Sequence, residues 1–388
     1  MEVKSRKLEG KHIALCVTGS VAAIESPRIA RELSRHGADV TAFMSRGARG
    51  IIHPNTMEFA TGKDVVTRLT GKLEHLQEYD LVLVAPATAN SINKFAGGIA
   101  DTAVTSLVFS SACRVVIAPA MHLKMYENTI LQENIERLEM LGFLFIEPVI
   151  SEAAAKLADT SFIVDFVISL LFKRDLEGLQ VLVTAGPTLE YLDPVRVITN
   201  RSSGKMGVEI AREAYFRGAD VRLVYGPGSV DVPGYIDVIR VETSNDMLGA
   251  VKENISDCDV FVSAAAVSDF TVEKKDKKID SREGGLDVTL TPTKKILDEI
   301  KGFDCFKVGF KALHDVSEDE LVGSAHRILK EYGLDLVMAN DVSKCAFGSD
   351  ENEVYLVGKE GEAVHVLRAL KSRVAERLWE RVAEELGR

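Results

Sequence analysis

The richest group of potentially reactive residues lies near the middle of the chain. Residues 184–207 combine turn residues and hydroxyl groups with two arginines, Arg196 and Arg201, ahead of a helix predicted to begin near Gly204. A purely structural loop of this length and polarity is uncommon in a compact domain. We therefore interpret the segment as a functional loop.

A second candidate is a basic cluster in an acidic protein. Four lysines occupy residues 274–278, although the formal net charge of the 388-residue chain is −11. This net charge argues against nucleic acid as a partner, since a phosphate backbone would be repelled over most of the surface. An anionic ligand must therefore be held by local donors. For the cluster itself, a solvated loop is the alternative interpretation.

The first half of the chain has candidate residues directly after its predicted strands, where open parallel sheets bind ligands. Gly19, Ser20 and Val21 follow the first strand and offer backbone N–H groups and a helix N-terminus to a phosphate, although an ordinary turn explains them equally well. Ser45 follows the second strand and could add a hydroxyl group.

Two Ala-Pro-Ala segments complete this set. Residues 81–85 form an apolar run that reads as a buried strand, and Pro86, Thr88 and Asn90 come after it. Residues 118–120 also come at the end of a predicted strand. A helix cap alone would explain the first segment. Because the second one repeats it after a strand, a binding site is the better interpretation.

Strand-like runs and amphipathic stretches alternate along the whole chain, which predicts parallel sheets covered by helices. We expect an α/β protein with two tandem doubly wound domains, flavodoxin-like over residues 1–175 and Rossmann-like over residues 176–388. The last element is predicted as a helix over residues 366–386. The predicted strands cover residues 11–18, 39–44, 81–85, 114–118, 179–183, 220–225, 259–263, 306–310 and 335–339.

Composition narrows the class of protein. The chain is 46% apolar and 27% charged, and no apolar run approaches the ~18–20 residues that span a bilayer. The N-terminus has neither the apolar core nor the cleavage site of a signal peptide, so we expect a cytoplasmic protein. Five cysteines without a CxxC pair predict buried free thiols and no structural zinc.

The motifs of the first half resemble those of the flavin-dependent cysteine decarboxylases. Residues 86–91 and 119–126 are similar to the PASANT and PxMNxxMW signatures, and with residues 18–22 they resemble the phosphopantothenoylcysteine decarboxylase domain over residues 11–150. The resemblance implies FMN, which lets the cysteine CH2–SH group be oxidised before CO2 is lost. It assigns FMN binding to Gly19, Ser20, Val21, Ser45, Pro86 and Thr88.

The same resemblance implies roles for four further residues. Asn90 would bind the substrate carboxylate, Met121 and His122 the pantothenoyl part, and His75 would be the active-site histidine. The chain departs from the family at three places. His75 lies about three residues closer to the following strand, His122 replaces a commoner asparagine, and residues 151–159 lack the family's proton-donating cysteine, which leaves Lys156 as a candidate.

The second half resembles the phosphopantothenate-cysteine ligases over residues 178–357, through residues 184–207, 263–270, 277–279, 308–310 and 334–341. This family activates a carboxylate as an acyl-nucleotidylate, normally with CTP, and Mg²⁺ bridges the phosphates. The resemblance assigns the acyl carbonyl to Asn200, the acyl substrate to Arg196 and the triphosphate to Lys278. The nucleotide would contact Ala264, Ala265, Ala266, Asp269 and Phe310.

Two departures from the ligase family concern the choice of nucleotide. Residues 311–314, Lys-Ala-Leu-His, stand where an acidic residue is commoner, and Arg327 or Lys330 would replace a lysine of the helix before residue 334. The sequence does not identify ligands for Mg²⁺.

Together the resemblances predict a bifunctional enzyme of coenzyme A biosynthesis with small-molecule substrates. They also imply a homo-oligomer, a dodecamer built from trimers of the flavin domain and dimers of the ligase domain. One alternative is an active ligase with a flavin-binding structural or regulatory module. Another, a dinucleotide oxidoreductase, lacks a GxGxxG motif after either opening strand.

Overall fold

The computed structural model describes residues 3–151, 153–280, 286–345 and 348–388. By its internal contacts the chain divides into two compact units, Met1–Phe172 and Lys173–Arg388. Each unit is built around its own sheet. Among the described residues, every helix is too short or too polar to span a lipid bilayer.

The first unit contains a five-stranded parallel sheet in the order β2-β1-β3-β4-β6 and a small antiparallel sheet in the order β5-β8-β7. This is the flavodoxin-like arrangement expected from the sequence. Its strands are β1 (His12–Val17), β2 (Asp39–Met44), β3 (Leu81–Ala87), β4 (Arg114–Pro119), β5 (Met121–His122), β6 (Leu144–Phe145), β7 (Val149–Ser151) and β8 (Ala154–Lys156). Its helices are α1 (Ser26–Arg35), α2 (Pro54–Thr61), α3 (Ala89–Ala96), α4 (Ala103–Ser110), α5 (Leu123–Tyr126), α6 (Thr129–Met140) and α7 (Thr160–Leu171).

The sequence of β3 explains its central place in this sheet. All seven of its residues are buried, as a continuous apolar run requires when helices cover both faces of a parallel sheet. The strand stops where Thr88 accepts a hydrogen bond from the Ser91 amide at 3.3 Å and caps α3. Small residues after the strand therefore face the carboxyl edge of the sheet.

The second unit contains an eight-stranded sheet in the order β13-β12-β9-β14-β17-β18-β19-β20, parallel up to β18 and antiparallel beyond it. The strands of the whole second unit, in and outside this sheet, are β9 (Gln180–Ala185), β10 (Leu189–Tyr191), β11 (Val197–Thr199), β12 (Asp220–Tyr225), β13 (Asp237–Arg240), β14 (Val260–Ser263), β15 (Phe270–Thr271), β16 (Thr291–Pro292), β17 (Phe306–Leu313), β18 (Leu336–Asp341), β19 (Glu351–Gly358) and β20 (Ala363–Leu370). Its helices are α8 (Lys205–Phe216), α9 (Ser244–Asn254), α10 (Ile296–Glu299), α11 (Glu318–Tyr332) and α12 (Lys371–Glu385).

The predicted start of the last helix is wrong. Residues 366–370 belong to β20, which pairs with β19, and α12 begins only at Lys371. Val366, Leu367 and Leu370 have a spacing that also fits a helix, but pairing with a long neighbouring strand outweighs this local preference.

In the second unit, α12 packs against α8 and covers part of the core. Trp379, the only tryptophan of the chain, is fully buried and donates a hydrogen bond to the carbonyl oxygen of Ile210 at 2.9 Å. The terminal helix thus contributes a large buried aromatic residue to this unit.

The five cysteines carry free thiols; Cys16, Cys258 and Cys345 are buried as predicted, and the other two are half-buried.

Candidate active sites

A cavity of about 510 Å³ opens at the carboxyl ends of β1 to β4 in the first unit. Seven of the residues predicted to bind FMN or substrate line it: Gly19, Ser20, Ser45, Thr88, Asn90, Met121 and His122. Sequence segments that follow four different strands therefore meet in one place, as open parallel sheets require.

Two other predicted flavin ligands lie outside the lining of this cavity. The side chain of Val21 is 76% exposed, and Pro86 is buried within β3. The Pro86 carbonyl oxygen accepts a hydrogen bond from the Thr18 hydroxyl at 2.9 Å, and the same hydroxyl accepts one from the Thr88 amide at 2.9 Å. Pro86 thus lies where the ends of β1 and β3 are tied together.

The loops after β1 and β2 touch through glycine. A Cβ atom at Gly19 would lie 3.0 Å from the Cα atom of Gly47, so a larger residue would push the two loops apart. Ser45 stabilises its own loop because its hydroxyl accepts a hydrogen bond from the Ala48 amide at 3.2 Å. The close approach leaves backbone and hydroxyl groups facing the cavity.

Asn90 lies in the first turn of α3 and is exposed to solvent. The first backbone N–H groups of a helix have no acceptor within the helix, and the helix dipole favours an anion there. With its side-chain amide added, this turn has the donors that a carboxylate or phosphate needs.

Met121 and His122 form β5, which pairs with β8 of the hairpin made by β7 and β8. The hairpin overlaps residues 151–159, in which no cysteine occurs. The Nδ1 atom of His122 accepts a hydrogen bond from the Lys124 amide at 3.3 Å. Lys156 is exposed at the end of β8 and is not among the residues that line the cavity.

His75 lies apart from this cavity within one chain. It sits in a short 3-10 helix, and its carbonyl oxygen accepts a hydrogen bond from the hydroxyl of Ser110, the last residue of α4, at 2.7 Å. The cavity is instead lined by Val104 and Thr105 in the first turn of α4, roughly 8–9 Å away along the helix axis at 1.5 Å per residue. The Nδ1 atom of His75 is buried and has no hydrogen-bond partner among the described residues.

Sequence reasoning missed two cationic residues of the cavity, Arg46 and Lys94. Lys94 forms an ion pair with Asp101 at 2.5 Å, and the Thr105 hydroxyl donates a hydrogen bond to the same carboxylate at 3.3 Å. The hydrogen bond from Lys94 is the main reason that the pKa of Asp101 is lowered. Arg46 could have been found from its position next to Ser45 after a strand.

The second unit has a narrower pocket of about 190 Å³ at the carboxyl ends of β14, β17 and β18. Four residues that the resemblance assigns to the nucleotide line it: Ala264, Ala265, Ala266 and Phe310. The first turn of α8 lies opposite, with Gly204 as its N-cap at φ 80°, a conformation that glycine adopts without strain. The backbone amides at the N-terminus of α8 therefore lie across the pocket from the apolar strip formed by Ala264, Ala265 and Ala266.

Two lysines that sequence reasoning left out also line this pocket, Lys205 and Lys371. Lys205 forms an ion pair with Asp350, and the Lys371 ammonium donates a hydrogen bond to the carbonyl oxygen of Ser349. Burial lowers the pKa of Lys371. Lys205 belongs to the functional loop of residues 184–207, whereas no local motif marks Lys371.

Asn200 connects two predicted segments. Its side-chain amide donates hydrogen bonds to the carbonyl oxygens of Ala266, at 3.0 Å, and Val267, at 3.2 Å. The hydroxyl of Thr188 accepts a hydrogen bond from the Ser268 amide at 2.9 Å and holds the same two segments together. Asn200 therefore lies beside the strip of alanines, as the predicted site requires.

Arg196 meets the basic segment 274–279 through a buried carboxylate, Asp193. One guanidinium nitrogen of Arg196 lies 2.6 Å from Asp193 Oδ2 and also donates to the carbonyl oxygen of Ile279 at 3.0 Å. Burial opposes ionisation of Asp193, but hydrogen bonds from the amides of Ile279, Val195 and Arg196 hold the pKa of its carboxyl well below its usual range. Lys278 is exposed beside this junction.

Asp269 is exposed and forms an ion pair with Lys295. Neither residue is among those that line the 190 Å³ pocket, so the predicted contact of Asp269 with the nucleotide stays a prediction. Within the described ranges we find no group of three or more His, Cys, Asp or Glu side chains placed to hold a metal ion.

Comparisons with known proteins cover the whole chain. The flavoprotein family matches residues 1–172, and the family of the DNA/pantothenate metabolism flavoprotein C-terminal domain matches residues 176–386. The crystal structure of the C-terminal domain of a coenzyme A biosynthesis bifunctional protein is 31% identical with a TM-score of 0.47, covering 55% of this chain and 99% of that one.

Full-length relatives match both halves together. The coenzyme A biosynthesis bifunctional protein CoaBC of Thermococcus kodakarensis is 50% identical, covering 99% of this chain and 97% of its own. The protein of the same name from Escherichia coli K12 is 34% identical over 92% of this chain and 93% of its own. The chain therefore belongs to the family of coenzyme A biosynthesis bifunctional proteins.

Proposed function

We propose that the second unit joins 4'-phosphopantothenate to cysteine and that the first unit decarboxylates the product to 4'-phosphopantetheine. The observation that carries the ligase is the contact of Asn200 with the carbonyl oxygen of Ala266, which brings two distant signature segments to one pocket. The decarboxylase is supported by the 510 Å³ cavity, where segments after four strands converge.

The ligase must first activate a carboxylate, since an oxide ion is a poor leaving group. The carboxylate of 4'-phosphopantothenate attacks the α-phosphate of CTP, and pyrophosphate leaves. The amine of cysteine then attacks the acyl carbon and displaces CMP. Negative charge grows first on the α-phosphate and then on the acyl oxygen, so preorganised cations and amides lower both barriers.

Three residues that do not themselves line the 190 Å³ pocket would supply these groups. Arg196 binds the acyl substrate, Lys278 contacts the triphosphate, and the amide of Asn200 holds the acyl carbonyl. Support comes from the junction of Arg196 with the segment that carries Lys278 and from the position of Asn200 beside Ala266. The alanine strip and Phe310 pack against the nucleotide.

CTP is the proposed nucleotide and Mg²⁺ its counterion. Magnesium commonly keeps several waters and takes substrate phosphates as ligands, so it does not need a cage of protein carboxylates. Bound to the phosphates of CTP, Mg²⁺ would supply part of the charge neutralisation that Lys278 provides from the protein.

FMN fits the cavity of the first unit, whose lining combines backbone amides, hydroxyls and the cationic side chains of Arg46 and Lys94. When bound, FMN supplies the electron sink that makes loss of CO2 from a cysteine carboxylate feasible. Gly19, Ser20, Ser45 and Thr88 would hold the cofactor. Val21, which is exposed, and Pro86, which is buried in β3, remain expected neighbours of it.

The chain's own residues orient the substrate of the decarboxylase. Asn90 binds the carboxylate that leaves as CO2, and Met121 with His122 contacts the pantothenoyl part; all three line the cavity. His75 is the proposed active-site histidine, and because it lies outside the cavity of its own chain, a neighbouring copy would have to present it. Since the hairpin lacks a cysteine, Lys156 or solvent protonates the product.

The assembly and surroundings follow the family. We propose a homo-oligomer, with trimeric flavin domains and dimeric ligase domains in a dodecamer, that acts in the cytoplasm on small molecules. Domain boundaries at residues 175 and 176 are proposed, close to the division between Phe172 and Lys173.

One experiment separates the two activities in the full-length protein loaded with FMN. Offered 4'-phosphopantothenoylcysteine alone, the protein should release CO2 without CTP. Offered 4'-phosphopantothenate, CTP and Mg²⁺ without cysteine, it should release pyrophosphate. Pyrophosphate without CO2 would mean that the first unit is only a flavin-binding module, whereas CO2 without pyrophosphate would remove the ligase.

A further inference from the structure

Asp193 is a fully buried carboxylate at the tip of the β10–β11 hairpin. Its Oδ1 atom accepts hydrogen bonds from the amides of Val195, at 2.7 Å, and Arg196, at 2.8 Å. These two bonds close the turn locally, as an aspartate commonly does. They would be sufficient if Asp193 only shaped the hairpin.

The second oxygen of this carboxylate reaches beyond the hairpin. Oδ2 accepts a hydrogen bond from the amide of Ile279 at 3.1 Å and from the Arg196 guanidinium at 2.6 Å. Residue 279 is 86 positions away in the chain. A turn-closing role does not need either bond.

Two further hydrogen bonds hold the basic segment, residues 274–279, against the β10–β11 hairpin. The Arg196 guanidinium donates to the Ile279 carbonyl oxygen at 3.0 Å, and the amide of Lys275 donates to the carbonyl oxygen of Leu192 at 2.9 Å. The segment is thus held on both sides of Lys278. Lys278 itself is exposed and directly precedes Ile279.

We propose that Asp193 is a positioning residue that sets Arg196 and Lys278 for activation of the carboxylate, without touching the substrate. The inference rests on the proposed ligase function. Fixing the Arg196 guanidinium and the backbone that carries Lys278 matters most when charge moves onto the α-phosphate, because preorganised donors then need no reorganisation. Attack of cysteine on a finished acyl-nucleotidylate depends on Asn200 instead.

The test compares Asp193→Asn and Asp193→Ser with the wild type in two half-reactions. The asparagine keeps one acceptor oxygen for the turn and presents an NH2 group to the Ile279 amide, so the distant bond is lost. The serine retains a turn-forming hydroxyl and is too short to reach Ile279. Asp257→Asn, at an exposed carboxylate of the same unit, is the charge-matched control.

Pyrophosphate release from 4'-phosphopantothenate and CTP should fall on the order of 10- to 100-fold in both Asp193 variants, the usual effect of a lost charge-assisted hydrogen bond. Amide formation from preformed 4'-phosphopantothenoyl-CMP and cysteine, measured with saturating acyl-CMP so that weaker binding through Arg196 does not limit the rate, should fall by no more than about threefold. Adding Lys278→Ala to Asp193→Asn should slow pyrophosphate release no further than Lys278→Ala alone, as expected for residues that act as a unit.

Equal losses in the two half-reactions, or additive effects of Asp193→Asn and Lys278→Ala, would show that Asp193 only supports the fold. If Asp193→Asn does not fold, as judged by the emission of Trp379, the split between half-reactions is read from Asp193→Ser. If the wild type itself releases no pyrophosphate, the proposed ligase fails, and that outcome is distinct from failure of the role of Asp193.

Discussion

The side-chain amide of Asn200 donates a hydrogen bond to the carbonyl oxygen of Ala266 at 3.0 Å. Asn200 directly follows β11 and begins the polar segment there, whereas Ala266 ends the strip of small residues that follows β14. The contact therefore joins the proposed acyl site to the proposed nucleotide site, and it suggests the first substitution.

Asn200→Asp should strongly impair ligation. A carboxylate in this place would face two carbonyl oxygens and could not donate a hydrogen bond to the acyl oxygen, so amide formation should fall about 10²- to 10³-fold. The measurement is formation of 4'-phosphopantothenoylcysteine by the full-length protein. Release of CO2 from added 4'-phosphopantothenoylcysteine by the same variant is the internal control; unchanged ligation would exclude Asn200 from the mechanism.

Two substitutions of His122 should show whether the decarboxylase needs a hydrogen bond from this side chain or only its size. His122→Asn should retain CO2 release within a few fold because the amide can also bond a hydroxyl or amide of the substrate. His122→Leu should lower kcat/KM about tenfold, the effect of one lost hydrogen bond of about 1.4 kcal/mol. Equal rates in the two variants would show that His122 does not contact the substrate.

Acid should weaken the second unit through Asp341, whose carboxyl accepts hydrogen bonds from the amides of Ser343, at 2.9 Å, and Asp315, at 3.0 Å. Hydrogen bonds from Ser343 are the main cause that lowers the pKa of Asp341 to about 2. A carboxyl with a depressed pKa contributes stability that is full above its unfolded pKa, about 4, and is lost as the pH falls through its folded pKa.

Asp341→Asn should therefore be less stable than the wild type at pH 7, and the difference should shrink as the pH is lowered from about 4 towards 2. The free energy of unfolding is measured by denaturant titration with the fluorescence of Trp379, the only tryptophan. A difference between the two proteins that is independent of pH would contradict the role assigned to this carboxyl.

Packing of α12 should dominate the stability of the second unit. Leu378 is fully buried beside Trp379, and Leu378→Ala should lower the free energy of unfolding by about 2–5 kcal/mol. The matched control is Leu367→Ala in β20, where the side chain is 71% exposed and the change should stay within about 0.5 kcal/mol. Similar losses at both positions would mean that α12 is not part of the core.

The sequence predicted the parts of both sites that lie directly after strands. Ser45 and Thr88 could be expected at the cavity because the carboxyl ends of parallel strands meet at one edge, whereas Met121 was implied only by the resemblance. The same rule, with the signature of residues 263–270, placed Ala264 to Ala266 beside a pocket.

Contacts between distant loops could not be predicted in this way. The bond from Ile279 to Asp193 joins residues 86 positions apart; both lie in signature segments, but no local pattern shows that these segments meet. The position of His75 beside Ser110 depends on how a 3-10 helix packs against α4. Both arrangements are set by tertiary packing, which overrides the local sequence signal, as it does for β20.

The central claim is that one chain performs both reactions in order. The most direct measurement supplies the full-length, FMN-loaded protein with 4'-phosphopantothenate, cysteine, CTP and Mg²⁺ and follows pyrophosphate, CO2 and thiol product together. We predict pyrophosphate and CO2 in equal amounts, with 4'-phosphopantetheine as the product. Accumulation of 4'-phosphopantothenoylcysteine without CO2, or the absence of pyrophosphate, would contradict the proposed function.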